Sequence, residues 1–397
     1  MQAPPLSLYV HFPWCVRKCP YCDFNSHELK AAVPEENYIK ALLSDLEFDR
    51  PRLHGREIVS IFFGGGTPSL FSGAAMGRLL DGIGARSNPV ADIEITLEAN
   101  PGTTEAGRFH AYRAAGVNRI SIGVQSFDDR QLKKLGRIHS AAEAKRAIQS
   151  AKDAGMDNLN IDLMFGLPQQ GVEEALTDLE IAIAQDPAHI SWYQLTLEPN
   201  TYFYKHPPAL PEEAALWEMQ QRGQAMLAAH GYRHYEVSAY TRPGYQCRHN
   251  LNYWQFGDYL GVGAGAHGKI TYPGDFRIVR QARHRIPQTY MDKAGTPAAV
   301  ARQWQLQRED IILEFMMNAL RLCDGFDPSL FIRHTGLAVD AVREQLESAA
   351  EQGLLEWTEE RVKPTDRGMW FLNDLLELFL NPAPVDPDQV CYPVNHE

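Results

Sequence analysis

The 397-residue sequence is 44% hydrophobic and 22% charged, which is typical of a globular protein that exceeds the usual length of a single domain. It contains no run approaching the ~20 apolar residues of a membrane helix and no secretory signal peptide, so we expect a cytoplasmic protein without a transmembrane segment. The net charge of −12 arises largely in residues 301–397, where 8 Lys and Arg accompany 18 Asp and Glu. Such a surface repels phosphate backbones and argues against general nucleic-acid binding.

The N-terminal half of the chain alternates short β-branched or aromatic runs with amphipathic segments at intervals of roughly 30 residues, the length of a βα unit. The predicted strands are Leu6–Phe12, Ile58–Phe63, Ile93–Glu98, Arg119–Gln125, Leu159–Met164 and Ile190–Leu197. The predicted helices between them include Asn37–Phe48, Thr104–Ala115, Ala141–Ala154 and Glu173–Gln185. This alternation predicts a parallel α/β sheet with right-handed crossovers. Six βα units favour a partial (β/α)6 barrel with an open side.

The pattern changes after the sixth strand. We expect a helix over Glu212–Ala229, a strand over Tyr232–Ala239 and a polar, glycine-rich loop region over Pro243–Gly274. Farther on, helical patterns at 309–322, 327–334, 338–352 and 366–379 surround two short strands, Leu354–Thr358 and Val362–Thr365. This order predicts a small, mostly helical, winged-helix-like domain, whose acidic character favours a structural or lid role over DNA binding.

These patterns predict four parts of the chain. We expect the barrel at 1–240, an extension and connecting region at 241–305, the C-terminal domain at 306–380 and a flexible, proline-rich tail at 381–397.

Three cysteines follow the first predicted strand in a Cys-x3-Cys-x2-Cys spacing: Cys15, Cys19 and Cys22. Three thiolates this close in sequence can converge on one small object, and thiolates are the usual ligands of iron–sulfur clusters. A [4Fe-4S] cluster held by three cysteines leaves one iron open to a further ligand. A structural zinc ion normally takes four protein ligands, and a disulfide framework is unusual with six cysteines in a chain of this length. The spacing therefore favours a [4Fe-4S] cluster.

Further polar and glycine residues follow the carboxyl ends of the other strands, where parallel α/β folds build their sites. The run Gly64-Gly65-Gly66-Thr67-Pro68 allows a ligand to approach the backbone closely. Glu98 can accept hydrogen bonds from ribose hydroxyls, whereas Asp162 interrupts an apolar run and needs a ligand or structural hydrogen bonds. Gln125 and Arg137 can complete a polar lining, and an arginine is suited to bind a carboxylate.

Two more residues leave alternatives open. Tyr9 lies on the first strand, where core packing is nearly as good an explanation as a ligand contact. His249 lies in Arg248-His-Asn-Leu-Asn-Tyr-Trp254, in which a histidine could bind heme iron and the aromatic residues could flank a porphyrin. On the residues alone, a structural role for His249 is the better explanation. A loop-forming role is the default for Gly261–Gly268.

These motifs together resemble the radical S-adenosylmethionine (SAM) family of oxygen-independent coproporphyrinogen III dehydrogenase, and more closely its heme chaperone branch, HemW. The resemblance covers nearly the whole chain, and its motifs are Tyr9–Cys22, Phe63–Ser69, Glu98–Pro101, Ser121–Phe127 and Asn160–Met164. It implies that Cys15, Cys19 and Cys22 hold a [4Fe-4S] cluster whose open iron binds SAM. The implied SAM contacts are Tyr9, Gly65, Gly66, Thr67, Glu98, Gln125, Arg137 and Asp162, and the implied heme contact is His249.

Three features favour the chaperone branch over the dehydrogenases. Phe24 stands where the dehydrogenase pattern has a further cysteine, only 14 residues precede Cys15, and the His249-Asn-x-x-Tyr-Trp254 motif resembles that of the chaperones. We therefore expect a protein that binds heme and delivers it to apo-hemoproteins such as membrane-bound respiratory cytochromes. A homodimer and peripheral membrane association are further expectations. The alternative is radical oxidative decarboxylation of coproporphyrinogen III.

Overall fold

The computed structural model of the protein describes residues 1–101 and 108–380. The predicted flexible tail, 381–397, and the predicted start of a helix at Thr104 lie outside the described residues.

Twelve strands of the described chain form one sheet. They are β1 Leu6–Phe12, β2 Glu57–Gly65, β3 Asn88–Ala99, β4 Arg119–Gln125, β5 Asn158–Phe165, β6 His189–Gln194, β7 Arg233–Glu236, β8 Ala239–Thr241, β9 Asp258–Val262, β10 His267–Tyr272, β11 Arg277–Arg283 and β12 Val300–Gln305. Their order across the sheet is β12-β11-β10-β9-β1-β2-β3-β4-β5-β6-β8-β7. Strands β1 to β6 are parallel neighbours in chain order, as the sequence predicts.

In the described chain before residue 306, the α-helices between β1 and β6 connect consecutive parallel strands, as the sequence predicts, and four more follow β6. They are α1 Glu35–Asp49, α2 Gly73–Gly84, α3 Phe109–Ala115, α4 Asp129–Lys134, α5 Ala141–Asp153, α6 Val172–Ala184, α7 Tyr202–Lys205, α8 Glu213–Ala229, α9 Arg248–Trp254 and α10 Pro287–Lys293. None of the helices in the described ranges is long and apolar enough to cross a bilayer.

Helix α5 shows how the sequence sets these elements. Its first turn is fixed by a capping box, in which the Ser140 side chain accepts from the Glu143 N–H while the Glu143 carboxylate accepts from the Ser140 N–H. Ala144, Ala147 and Ile148 are then buried at helical spacing, so one face of the helix packs against the sheet.

Strand β1 separates the hydrophobic core from the polar side of the sheet. Leu8 and Val10 belong to the main hydrophobic core. The alternate residues of the strand, Ser7, Tyr9 and His11, instead form side-chain hydrogen bonds. The same strand therefore supports the core and contributes polar groups to the opposite face.

The region over Pro243–Gly274 differs from the predicted loop. It contains helix α9 and strands β9 and β10, and β9 pairs in parallel with β1. Gly261 lies in β9, where an added Cβ would lie 1.9 Å from the carbonyl oxygen of His267 in β10. The glycine that weakened the strand pattern is thus required by the close approach of these two strands.

The prediction of one strand over Tyr232–Ala239 is also wrong. The chain turns at residues 237–238, so two short antiparallel strands, β7 and β8, occupy this stretch and extend the edge beside β6.

The C-terminal region has its own hydrophobic core. Helices α11 Arg308–Ala319, α12 Pro328–Thr335, α13 Arg343–Glu351, α14 Asp366–Trp370 and α15 Leu372–Glu377 surround the antiparallel pair β13 Leu355–Trp357 and β14 Val362–Pro364. At its centre the ring of Phe315 makes edge-on contacts with Phe326 and Phe331, with ring centroids 5.1 and 5.0 Å apart. The exact domain boundaries stay a prediction.

Candidate cluster and cofactor site

One cavity of about 270 Å³ lies at the carboxyl ends of the parallel strands. Ten residues predicted for the site line it: Cys15, Cys19, Cys22, Gly65, Gly66, Thr67, Glu98, Gln125, Arg137 and Asp162. The two predicted residues that lie elsewhere are Tyr9 and His249. We call this space the cluster cavity.

The cysteine loop is closed by a short parallel pairing of Trp14–Cys15 with His27–Glu28. Within it the N–H of Cys22 donates to the carbonyl of Cys19 at 3.1 Å. All three cysteines are free and half-buried. The loop thus presents three thiols to one cavity on a backbone that is fixed at both ends.

Each of the three sulfur atoms has a polar neighbour. Thr67 Oγ1 lies 3.4 Å from Cys15 Sγ and Arg137 Nη1 lies 3.6 Å from Cys19 Sγ, while the Cys22 Sγ to Ser26 Oγ distance is 3.9 Å. Burial raises the pKa of Cys15 to about 11, so a free thiol here is protonated at neutral pH. An iron ion would stabilise the thiolate, and hydrogen bonds to sulfur are known to tune cluster potentials.

Three free cysteine thiols that line one cavity are the protein donor set of a [4Fe-4S] cluster with one open iron. Among residues 1–101 and 108–380, no three His, Cys, Asp or Glu side chains converge on a single-ion site. One zinc ion needs all its ligand atoms within about 2.0–2.3 Å of one centre. The thiolates of a [4Fe-4S] cluster bind different irons and stand farther apart, so the absence of a single-ion site in the described ranges does not exclude a cluster at these cysteines.

The glycine run joins the end of β2 to the cysteine loop. The N–H of Gly66 donates to the carbonyl of Phe12 at 2.6 Å, and the N–H of Thr67 donates to that of Trp14 at 2.8 Å. Gly65 has a φ of +110°, and its N–H donates to Glu98 Oε2 at 3.1 Å. An ammonium group can only donate hydrogen bonds, so a contact of this run with the SAM ammonium would use backbone carbonyl oxygens.

A chain of hydrogen bonds links two of the cysteines across the cavity. Arg137 Nη2 donates to Asn100 Oδ1 at 2.7 Å, and Asn100 Nδ2 donates to Thr67 Oγ1 at 2.8 Å. Because Arg137 also contacts Cys19 and Thr67 also contacts Cys15, the network spans the cluster loop. Arg137 Nε is buried without a partner in the described ranges, which leaves it available to an anionic group. Sequence reasoning did not select Asn100, although it adjoins Glu98 in the quoted Glu98–Pro101 motif.

Two carboxyl groups give the cavity its acid–base character. Burial and the nearby charge of Asp162 raise the pKa of Glu98 to about 8. Burial also raises the pKa of Asp162, which accepts hydrogen bonds from Ser121 at 2.9 Å and from Asn160 at 2.7 Å. A cationic ligand would relieve the electrostatic cost of ionising both carboxyls.

Gln125 has an unusual backbone conformation at the end of β4. Its φ is +72°, in the left-handed region that non-glycine residues rarely adopt, and such residues cluster at functional sites. Its Oε1 accepts a hydrogen bond from the Tyr193 hydroxyl at 2.8 Å. Tyr193 lines the cavity from β6 and was not predicted from the sequence, because nothing in its local pattern distinguishes it from a packing tyrosine.

His249 is inside the protein rather than in the cluster cavity. It is 1% exposed, its Nδ1 is 2.9 Å from Ser60 Oγ and its Nε2 is 3.1 Å from the Tyr253 hydroxyl. Burial and the charge of Arg119 lower its pKa to about 3, so the ring is neutral. Iron could bind His249 only if one of these hydrogen bonds were broken. Its predicted role as a heme ligand stays a prediction.

Tyr9 lies in a second pocket of about 440 Å³, where its hydroxyl is 3.0 Å from His11 Nδ1. We call this space the aromatic pocket. It is lined by Tyr9, His11, Asp23, Phe24, Asn25, Tyr253, Tyr259, Gly265, His267 and Arg285. The structure therefore places Tyr9 outside the cluster cavity, because β9 and α9 pack beside β1 and supply the neighbours of its ring. The SAM contact predicted for Tyr9 stays untested.

Comparison with known proteins identifies the family. The Radical SAM superfamily model matches residues 9–181, and the HemN C-terminal domain model matches residues 306–371. Over 380 residues the chain is 54% identical to a protein of Escherichia coli (strain K12) named heme chaperone HemW, covering 96% of this chain and 99% of that protein. The chain belongs to the HemW family. The predicted resemblance is thereby confirmed.

More distant relatives place the HemW family in a wider context. The chain is 49% identical over 383 residues to a Haemophilus influenzae protein named heme chaperone HemW, and the match covers 96% of this chain and 99% of that one. The solved structure of E. coli coproporphyrinogen III oxidase (HemN), described as a radical SAM enzyme, matches with a TM-score of 0.80 at 24% identity, covering 95% of this chain and 90% of that one. At that identity the likeness shows the fold, and it confirms the predicted α/β radical SAM architecture with its C-terminal helical domain. Radical SAM membership implies SAM and a [4Fe-4S] cluster.

Proposed function

We propose that this HemW-family protein is a heme chaperone, which binds heme and delivers it to apo-hemoproteins such as respiratory cytochromes. The observation that carries the proposal is the 54% identity, from end to end, with a protein named heme chaperone HemW. Two local features support it. Phe24 occupies the position where the dehydrogenase pattern has a cysteine, and the His249-Asn-x-x-Tyr-Trp254 motif adjoins the aromatic pocket through Tyr253.

In this proposal the cluster cavity holds the cofactors. Cys15, Cys19 and Cys22 would hold the [4Fe-4S] cluster, which in radical SAM proteins supplies the electron that cleaves SAM. Arg137 would bind the SAM carboxylate, and Glu98 would accept hydrogen bonds from ribose hydroxyls. The remaining proposed SAM contacts are Gly65, Gly66, Thr67, Gln125 and Asp162 in the cavity, and Tyr9 from the adjacent aromatic pocket. Cluster and SAM would then support structure, dimerisation or regulated transfer of heme.

We also propose a homodimer and peripheral association with membranes that carry the acceptor. Both are tested by measuring mass in solution with and without cluster and SAM, and by flotation with vesicles that do or do not contain a respiratory cytochrome. A monomer under all conditions would refute the homodimer. Flotation that is the same with and without the cytochrome would refute association with membranes that carry the acceptor.

The central experiment compares transfer with turnover. Cluster-reconstituted protein is loaded with heme under anaerobic conditions and mixed with apomyoglobin and with an apo-cytochrome. We expect the loaded protein to transfer its heme to the apo-cytochrome faster than free heme binds to the apo-cytochrome. The same preparation is incubated with coproporphyrinogen III, SAM and a reductant, and we expect no consumption of the porphyrinogen. Many turnovers would instead identify a dehydrogenase.

A further inference from the structure

The aromatic pocket has the size and lining of a small-molecule site. Its volume of about 440 Å³ lies within the range of roughly 300–1,000 Å³ found for ligand pockets. Tyr9, Tyr253 and Tyr259 line it, and the rings of Tyr253 and Tyr259 meet edge to face with centroids 4.5 Å apart. Phe24 is 56% exposed and lines both this pocket and the cluster cavity. A flat, apolar ligand would find aromatic surfaces here, directly beside the cysteine loop.

Three histidines lie in or behind the wall of this pocket, and they differ in the state of their ring nitrogens. His11 and His249 each use both nitrogens in hydrogen bonds. His267, at the start of β10, is exposed, and its ring forms no hydrogen bond to the part of the chain that the structure describes. Desolvation and the charges of Arg280 and Arg285 lower the pKa of His267, which favours the neutral imidazole that metals bind.

Arg285 adds a cation to the same pocket. It is exposed, and its Nε lies 3.4 Å from Asn25 Oδ1, while its two Nη atoms form no hydrogen bonds within the described ranges. An arginine fork is the natural partner of a carboxylate. Asp23 lines the pocket with the opposite charge, so a carboxylate would bind at Arg285 and away from Asp23.

His249 supports this pocket from behind. Its Nε2 is 3.1 Å from the Tyr253 hydroxyl, its Nδ1 is 2.9 Å from Ser60 Oγ, and its ring stacks on Phe62 with centroids 4.9 Å apart. Because both nitrogens are used, the residue fixes the orientation of the Tyr253 ring. In the His249–Trp254 motif, His249 is then a positioning residue and Tyr253 faces the ligand.

We propose that heme docks in the aromatic pocket, with the His267 imidazole as the iron ligand and the Arg285 guanidinium bound to a propionate. This assignment rests on the heme-chaperone function proposed above and adds the location of the cargo. The aromatic pocket and the cluster cavity are adjacent because Phe24 lines both. A ligand bound in one of them can therefore affect binding in the other.

The test titrates ferric heme into the cluster-reconstituted full chain and into variants, with absorption and resonance Raman spectra as readouts. His267→Ala is expected to lack the histidine-ligated spectrum and to bind heme roughly tenfold or more weakly. Added imidazole is expected to restore the spectrum. Arg285→Ala is expected to weaken heme binding while leaving the affinity for heme dimethyl ester unchanged. His249→Gln is expected to keep the histidine-ligated spectrum at reduced affinity. His110→Ala is the matched control, because this exposed histidine on α3 lines neither pocket.

The outcomes separate this inference from the function on which it rests. If the unaltered protein binds no heme, the chaperone function fails. If it binds heme and His267→Ala keeps both the spectrum and the affinity, only the docking site fails. If the histidine-ligated spectrum is lost in His249→Gln but kept in His267→Ala, then His249 is the iron ligand. The cluster absorption of every variant verifies that the chain has folded.

Discussion

Glu98 is the residue at which the electrostatics of the cluster cavity can be tested most directly. Its raised pKa of about 8, compared with an ordinary value of 4.5, means that the folded apoprotein binds a proton that the unfolded chain releases. The contribution of Glu98 to the free energy of unfolding should therefore be most favourable below pH 4.5 and should fall as the pH rises toward 8. Asp162, whose pKa is also raised, contributes in the same direction.

We predict that Glu98→Gln flattens this pH dependence. At pH 8 the apoprotein should become more stable than the parent by up to a few kcal/mol, since one pKa unit corresponds to about 1.4 kcal/mol. The variant should bind SAM more weakly, because a carboxylate that accepts hydrogen bonds is lost. Denaturant unfolding from pH 5 to 9 and SAM titration measure the two effects. The exposed Glu180 gives the control, Glu180→Gln, and an unchanged pH slope in Glu98→Gln would contradict the raised pKa.

Asn100 is the residue that joins the two halves of the cavity network. We predict that Asn100→Ala costs about 1–3 kcal/mol in unfolding free energy, because Arg137 and Thr67 each lose a buried partner. The cluster should still assemble but should be lost faster on exposure to air, since both cysteine contacts depend on these two side chains. Unfolding curves and the decay of cluster absorption measure this. Parental decay would show that Arg137 and Thr67 are held in place without Asn100.

The junction between β2 and the cysteine loop is the element on which the cluster site depends. A Cβ on Gly66 would lie 2.6 Å from the carbonyl oxygen of Trp14 and 2.8 Å from that of Phe12. Neither backbone atom can move without shifting β1 or Cys15. The close approach therefore explains the glycine independently of any contact with SAM.

We predict that Gly66→Ala costs about 1–3 kcal/mol in unfolding free energy and impairs cluster assembly, because it separates the loop from the strand. The matched control is Gly84→Ala in α2, where an added Cβ meets nothing within 4 Å and alanine favours the helix. Iron content after reconstitution and denaturant midpoints are the measurements. Full cluster loading in Gly66→Ala would show that the loop tolerates the shift.

The strands and loops also show which parts of the fold sequence patterns were sufficient to predict. Strands β1 to β6 were predictable because apolar runs at regular spacing determine parallel βα units, and the cysteine spacing located the cluster loop. Strand β9 was not, since Gly261 breaks its pattern and its partner β1 is distant in sequence. Without β9 and α9, the sequence could not show that Tyr9 lines the aromatic pocket, and its predicted SAM contact stays a prediction. Tyr193 gains its position from tertiary packing alone, which leaves no local signal. Asn100 lies in the Glu98–Pro101 motif, but only the fold shows that it joins Arg137 to Thr67.

At the scale of the whole molecule, two ion pairs join the β7 edge of the sheet to the C-terminal region. Arg321 Nη2 lies 3.1 Å from Glu236 Oε2, and Glu236 is 2% exposed. The Arg321 guanidinium also lies 4.3 Å from the ring centroid of Trp254, the last residue of α9. The other pair, Arg233 with Asp324, is exposed on both sides. The two pairs have similar connectivity and differ in burial.

We predict that Arg321→Ala destabilises the protein by about 1–3 kcal/mol, because it leaves the buried Glu236 carboxylate without its cation. Loss of the contact with Trp254 should also loosen α9, and heme affinity should fall with it because α9 carries Tyr253. Arg233→Ala provides the matched control, and its effect should stay below about 1 kcal/mol since exposed pairs contribute little. Denaturant unfolding and heme titration of both variants make the comparison. If Arg321→Ala unfolds earlier but binds heme as the parent does, the C-terminal region supports the fold without influencing the heme pocket. Equal effects of the two variants would show that burial does not distinguish these pairs.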